Sequence, residues 1–474
     1  MRLNGFTKKS PYQAKALDLS DEKLGRTILS LALPAVMENL MFTLVFMADT
    51  MIVGWLRDPN ALAATLLGSR IMFFTRAPFY GISIAATSLV SRHWGASDFA
   101  TARRHAAHAM VVAFVLAGLA TAILFPIASL AMDALGADSD VLPLAATYAR
   151  IVILSIFLGQ PMIVANGIIR AAGDTKTPMA NTMIMNFTNV GLSLALAFGI
   201  GPFPALGLVG VAYGTLISRS LGGLLSIIAV LNPMGAVNMP FSWMFRPRLG
   251  YYKSLLSLAW PAIAERSSYS VADLFFTRIV AGIGTTALAA HQIAVHIESL
   301  AFMPCVGISY ASATIVGQAI GAQRHSFAER AVKRIILWAG LAMVGLGVIF
   351  VLFGPLCVSV FGATPEILEQ AGLALQISAL ELPFLAAALI LGVSLRSAGD
   401  TTSPLYITII SLILFRVGGA YLLGIHFEMG IAGIWLATAM DWIGRTSGMW
   451  YFFSAGKWKW IHQRQQMKQA AMKV

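Results

Sequence analysis

Charge is scarce in this chain. Only 11% of its 474 residues are Asp, Glu, Lys or Arg, whereas a soluble domain carries about a quarter. That shortage excludes an ordinary water-facing globular surface. Cysteine is scarcer still. Cys305 and Cys357 both sit in apolar runs, so there is no disulfide framework and no cysteine-based zinc spacing, only two core thiols. Catalytic signatures are missing too: no HExxH, no P-loop and no GxSxG. His291 and His296 lie five apart, a poor metal spacing on a helix. A TVGYG-like selectivity filter is absent. The first 27 residues are polar and basic, without the short apolar core of a cleavable signal peptide. No enzyme activity, no metal and no cofactor is expected.

What the chain has in abundance is hydrocarbon: 58% of residues are hydrophobic and the mean hydropathy is +0.76. Its solvent is therefore largely lipid. A helix crosses the bilayer core with about 20 apolar residues. Twelve such runs stand out, roughly 28–56, 61–90, 105–133, 142–170, 178–201, 207–232, 254–283, 288–317, 329–360, 366–396, 404–424 and 430–454. Backbone polar groups in lipid must bond within their own segment, and no period-two alternation suggests a barrel, so the runs are helices. The expected fold is all-α and integral to the membrane.

The net charge of +12 would point a soluble protein toward nucleic acid. Here the basic residues occupy alternate loops: Arg92, Arg103 and Arg104 after the second run, Arg170 and Lys176 after the fourth, Arg246, Arg248 and Lys253 after the sixth, Arg324 and Arg330 after the eighth. The opposite loops hold acids such as Asp138, Asp140, Glu366 and Glu428. The positive-inside rule puts both termini in the cytoplasm of a cell-membrane protein, with lipids rather than nucleic acid as surroundings.

The chain also repeats itself. RAAGDTKTP at 170–178 returns as RSAGDTTSP at 396–404, an offset of 226 residues. At the same offset ALAA (61–64) returns at 287–290, GISIAATSLV (81–90) returns as GISYASATIV (307–316), and Gly95-Ala96 returns as Gly321-Ala322. Two halves of six helices each, 28–232 and 254–454, follow, joined by 233–253 and flanked by the segments 1–27 and 455–474. An even helix count makes the repeats parallel, related by an axis along the membrane normal. Locally, the repeated phrase reads as a helix-to-helix turn. Arg170 suits a helix C-terminus, Gly173 can close the helix in a left-handed conformation, and Thr177-Pro178 offers an N-cap with proline at the first helical position. Arg396, Gly399 and Ser403-Pro404 do the same in the second copy.

Two six-helix halves, each with an RxAGDT turn between its fourth and fifth helices, resemble the multidrug and toxic compound extrusion (MATE) transporters. The stretch SLAFMPCVGISYASATIVGQAIGAQ at 299–323 is similar to that family's eighth helix and the loop after it. The resemblance implies two bundles around a central cavity, alternating access, and export of small organic substrates by antiport, with a monomer as the working unit. A lipid-linked precursor flippase of the same superfamily is the alternative function, and an ion channel a more distant one.

Ionisable residues inside the spans are costly and are functional candidates by default. Asp49 comes first. It stands 15 residues after Pro34 in PAVMENLMFTLVFMADT, about four helical turns deeper, and is a candidate proton carrier. The resemblance places an acid here tied to cation coupling, and makes Pro34 a hinge. On the fifth helix the family pairs an Asn with an Asp four residues on. This chain has Asn189 but Ser193, so the usual second acid is missing. The sodium branch has acids on helices seven and ten, where this chain aligns Tyr269 and Leu385, which favours the proton-coupled, DinF-like branch over sodium. Glu38 and Glu265, each four residues after a proline, and Glu298 join Tyr269 as candidates for the substrate cavity. Arginines inside the spans, among them Arg70, Arg76, Arg219, Arg416 and Arg445, exceed what a transporter of simple organic cations needs.

Overall fold

In the computed structural model, which describes residues 16–362, 364–456 and 458–459, the expected runs form helices and no strand occurs among those residues. Most of the basic amino-terminal segment and of the basic tail lie outside the described residues. The N-lobe consists of α1 (Leu24–Trp55), α2 (Pro59–Gly95), α3 (Phe99–Leu124, followed by a short turn of helix Ala128–Ala134), α4 (Leu142–Ala171), α5 (Lys176–Phe198) and α6 (Leu208–Leu231). The C-lobe consists of α7 (Leu249–Ile283), α8 (Thr285–Gly321), α9 (His325–Ser359), α10 (Pro365–Ser397), α11 (Thr402–His426) and α12 (Gly430–Ser454).

Eight of these helices are long and apolar enough to cross a membrane by composition alone; α2, α5, α7 and α12 are not. The four exceptions are rich in polar residues within their spans, among them Arg70 and Arg76, Asn186 and Asn189, Glu265 and Asp273, Asp441 and Arg445. The apolar helices carry polar groups as well: Glu38 and Asp49 on α1, Arg219 on α6, Glu298 on α8, Glu381 on α10 and Arg416 on α11. There are two apolar cores, one with Ile82, Met110, Ile153 and Ile168, the other with Ile315, Ile335, Leu382 and Trp435, and the first helix of each lobe reaches into the other's: Leu24, Ile28 and Leu31 of α1 join the C-lobe core, Leu255, Leu258 and Ala259 of α7 the N-lobe core.

The repeat is written in the backbone as well as in the letters. α4 ends as Gly173 takes φ +96°, its N–H donating to Arg170 O at 2.8 Å while Asp174 N–H reaches Ile169 O at 3.3 Å. Gly399 at φ +98° ends α10 through the same two bonds, to Arg396 O and Leu395 O. Both are Schellman closures. The start of the next helix differs from the sequence expectation. Thr177 and Ser403 are not the caps, because α5 begins two residues earlier than Pro178, at Lys176. Asp174 does the capping: its Oδ1 accepts the N–H groups of Lys176 and Thr177, each at 3.0 Å, and its Oδ2 accepts the Thr177 hydroxyl at 2.6 Å. Asp400 accepts Ser403 N–H at 3.0 Å in the second copy. A carboxylate placed directly after the glycine reaches the orphan amides first, and the prolines fall within the first turn, where no amide donor is required.

The two lobes also differ. α11 runs as a π-helix from Leu412 to His426, whereas its counterpart α5 stays α-helical. A π-helix bonds i to i+5, so each turn takes in about one extra residue and side chains rotate away from the α-helical register.

Candidate coupling sites and the junction between the lobes

At the end of the molecule that carries the repeated turns and most basic loops, the lobes meet by a pseudo-twofold exchange of the same bonds. Ser88 on α2 donates to Arg396 O at 3.0 Å, and Thr314 on α8, its repeat counterpart, donates to Arg170 O at 3.0 Å. The backbones touch because glycines sit at the crossing. A Cβ on Gly317 would lie 1.9 Å from Ser91 Oγ, one on Gly321 1.9 Å from Arg92 O, and one on Gly95 2.0 Å from Gln318 O. No side chain fits there without separating the helices. Gln318 ties three pieces together: its Nε2 donates to Ala171 O at 2.8 Å and its Oε1 accepts Leu17 N–H at 2.9 Å. Residues 16–23 thus lie as a strap across the junction. Leu19 is buried in the C-lobe core, and Asp21 accepts two bonds from Arg330 at 2.8 and 3.2 Å.

The arginines of the repeated phrase have a second use here. Arg170 Nη1 donates to both oxygens of Glu38 at 2.9 Å, with Asn166 adding a third bond at 3.0 Å. Arg396 Nη1 holds Glu265 in the same way at 3.0 and 2.9 Å, and Thr408 supplies the extra bond at 3.2 Å. Both carboxylates are buried and engaged within their lobes, so neither has a free charge to offer a ligand. Arg170 has one more partner than Arg396: the ring of Tyr310, from the other lobe, lies 4.4 Å from its guanidinium. Pro34 is inside α1. Proline removes the bond to the carbonyl four residues back, which is Ser30 O, and Thr175 of the repeated turn donates its hydroxyl to that oxygen at 3.4 Å.

Deeper in the N-lobe, Asp49 is buried on α1 and forms no ion pair within 4 Å among the described residues. Asn189, Arg219 and Tyr148 are its polar neighbours. Asn189 donates to Thr215 at 3.4 Å. Asp49 Oδ1, Asn189 Oδ1 and Ser193 Oγ are all buried and have no hydrogen-bond partner among the described residues. Two of the three are acceptors that want a donor, and burying such groups unmatched is costly. Asp49 and Asn189 are thus neighbours, and Ser193 lies one turn further along the buried face of α5.

The C-lobe carries a different cluster, most of which sequence reasoning missed. Asp441 on α12 is fully buried and saturated. It accepts Arg416 Nε at 2.7 Å, Arg445 Nε at 2.7 Å, Arg445 Nη2, and the Ser411 hydroxyl at 2.6 Å. Tyr269 does not stand in for an acid here. Its hydroxyl accepts Arg445 Nη1, and its ring lies 4.4 Å from that guanidinium. Leu385 is core. Glu298 on α8 meets Glu381 on α10. Glu381 is fully buried, neither of its oxygens has a donor among the described residues, and the Glu298 carboxyl is its neighbour, with Arg416 next. Two carboxyls bond to each other only through a proton. The one sequence signal for Asp441 was Arg445 four residues on, a helical ion-pair spacing.

Comparison with known proteins agrees with this architecture. The family model MatE matches twice, at residues 34–195 and 261–422, which is the repeat itself and well over half of the chain. A relative named "Probable multidrug resistance protein NorM", from Thermotoga maritima, is 28% identical over 442 residues, covering 92% of this chain and 94% of its own. Solved structures described as MATE in the bent and in the straight conformation both align with a TM-score of 0.83 at 23% identity, over 95% of this chain and 97% of theirs. At that identity the structures speak for the fold, twelve helices in two lobes. The doubled family match, the two Schellman turns at one repeat spacing and the mirrored junction concern the same molecule: the chain belongs to the MatE (MATE) family of membrane transporters.

Proposed function

We propose that this protein is a proton-driven antiporter of the cell membrane that exports small organic compounds, with its basic end and both termini in the cytoplasm. The name of the Thermotoga relative supports the efflux reading, and the loop charges support the orientation. The observation that carries the proton reading is Glu381, fully buried without a donor among the described residues and beside the Glu298 carboxyl, because two neighbouring carboxyls can bond only if they share a proton. Asp49 is the corresponding group in the N-lobe. A proton on it gives Asn189 Oδ1 the donor it lacks, and removes the charge that faces Arg219. One proton moving down a membrane potential releases about 2.3 kcal/mol per 100 mV, enough for more than a tenfold substrate gradient.

The test uses the purified full chain in liposomes with a panel of fluorescent organic probes of either charge. An imposed pH gradient at equal sodium drives probe exchange, and a sodium gradient at equal pH does not. Asp49→Asn and Glu381→Gln both fold, keep probe binding and fail to build a gradient. Exchange that follows sodium alone overturns the proton reading. It then favours a sodium ion among the oxygens of Asp49, Asn189 and Ser193, the three buried atoms that lack partners. Normal pumping by Asp49→Asn removes Asp49 from the mechanism.

A further inference from the structure

Where α1 begins against the C-lobe, a groove of about 470 Å³ opens at the basic end, lined by Asp21 and Leu24 on one side and by Arg330, Lys333, Arg334, Leu337 and Trp338 of α9 on the other. The α9 residues follow the i, i+3, i+4, i+7, i+8 spacing of a single helix face. Their order along that face is informative. Cations come first, an aromatic residue next, and then aliphatic side chains open to the surroundings: Leu341 is 62% exposed, Val344 50% and Val348 50%. Such a gradient matches a phospholipid from headgroup through interface to acyl chain. The groove is also not neutralised from within. Asp21 is committed to Arg330, while Lys333 and Arg334 are exposed and make no hydrogen bond or ion pair among the described residues.

We propose that this groove is a binding site for one anionic phospholipid of the cytoplasmic leaflet, its phosphate held by Lys333 and Arg334 and one acyl chain laid along Leu337, Trp338 and Leu341. Trp338 forms the wall. It packs so closely on α1 that a Cβ on Gly25 would lie 3.0 Å from its ring. The lipid therefore sits on the seam between α1, which carries Glu38 and Asp49, and the C-lobe. The proposal rests on the orientation argued above and is independent of what is transported.

Native mass spectrometry of the detergent-purified full chain tests it, with phosphatidylglycerol and phosphatidylcholine as probes. The wild-type protein binds one phosphatidylglycerol in strong preference to phosphatidylcholine. A surface cation contributes about fivefold, so Lys333→Gln together with Arg334→Gln lowers that preference by more than tenfold at unchanged melting temperature. Lys176→Gln with Lys253→Gln removes the same charge from exposed positions on other turns and leaves the preference intact. Equal loss in that control pair overturns the proposal in favour of general surface charge. Displacement of phosphatidylglycerol by millimolar inorganic phosphate also overturns it, since the acyl chain then contributes nothing. Trp338→Ala weakens retention of either lipid, and unchanged retention in that variant counts against the acyl path.

Discussion

The two lobes are nearly the same object at one end and different objects inside. At the basic end each contributes a Schellman turn, an Asp cap, an arginine gripping a glutamate and a hydroxyl that crosses to the other lobe's arginine carbonyl. Half a membrane deeper the resemblance stops. The N-lobe holds a single acid among unpartnered amide and hydroxyl oxygens, while the C-lobe holds Asp441 saturated by two arginines and a pair of glutamates facing each other. A repeated junction needs matched halves, because each lobe must fit a copy of what it presents. The interiors face no such requirement and are free to hold different chemistry. The register change in α11 is one means of divergence: its π stretch turns Arg416 toward Asp441, where α5 places Asn189 near Asp49.

The largest expected effect tests how matched the two ion pairs are. Breaking a buried pair by removing one partner costs about 3–5 kcal/mol. Arg170→Ala and Arg396→Ala both lower the melting temperature by that order. Arg170→Ala costs more, by about 1 kcal/mol, because it also forfeits the Tyr310 ring. Tyr310→Leu closes the gap between them. Equal losses in the two arginine variants with Tyr310 intact would mean that the cross-lobe ring adds nothing.

Much of this comparison was legible in the sequence, and the boundary of legibility has physical causes. Hydropathy marks each helix because lipid imposes it along the whole length, and the repeated phrase marks the junction because a turn is encoded locally. Asp49 and Asn189, neighbours in the structure, were named together by family resemblance. Glu298 with Glu381, and Asp441 with Arg416, were not, because spacing fixes a residue's face on its own helix but not how neighbouring helices are rotated. In α11 even the spacing misleads, since the π stretch moves Arg416 off the α-helical face that counting from Pro404 implies. Glu38 and Glu265 were read as cavity candidates, whereas their partners are the arginines of the repeated phrase, more than 130 residues away.

An intermediate effect tests whether the mirrored glycines are equivalent. Gly95 and Gly321 occupy the same repeat position, and each approaches backbone of the other lobe to about 2 Å from where a Cβ would be. Alanine at either position has to push α2 and α8 apart, at about 1–3 kcal/mol. Each variant should raise the labelling rate of a cysteine placed at Ser88 by a membrane-impermeant thiol reagent added from the basic side. Similar increases in Gly95→Ala and Gly321→Ala support a symmetric junction. An increase in only one of them shows that the strap over Gln318 makes the two sides unequal.

The smallest effect concerns the caps. Asp174 accepts two backbone amides and the Thr177 hydroxyl, and that hydroxyl caps no amide of its own. Losing an N-cap costs about 1 kcal/mol, so Asp174→Ala lowers stability by roughly that amount. Thr177→Ala gives up a single side-chain bond at a half-buried position and costs only part of it, because the Asp174 carboxylate keeps both amides. Asp400→Ala should cost somewhat less than Asp174→Ala, as Asp400 accepts one backbone amide, that of Ser403, where Asp174 accepts two. Thermal unfolding of the three single variants in one detergent ranks them directly. A larger loss in Thr177→Ala than in Asp174→Ala would return the cap to the threonine, and with it the reading in which proline, rather than aspartate, sets where α5 begins.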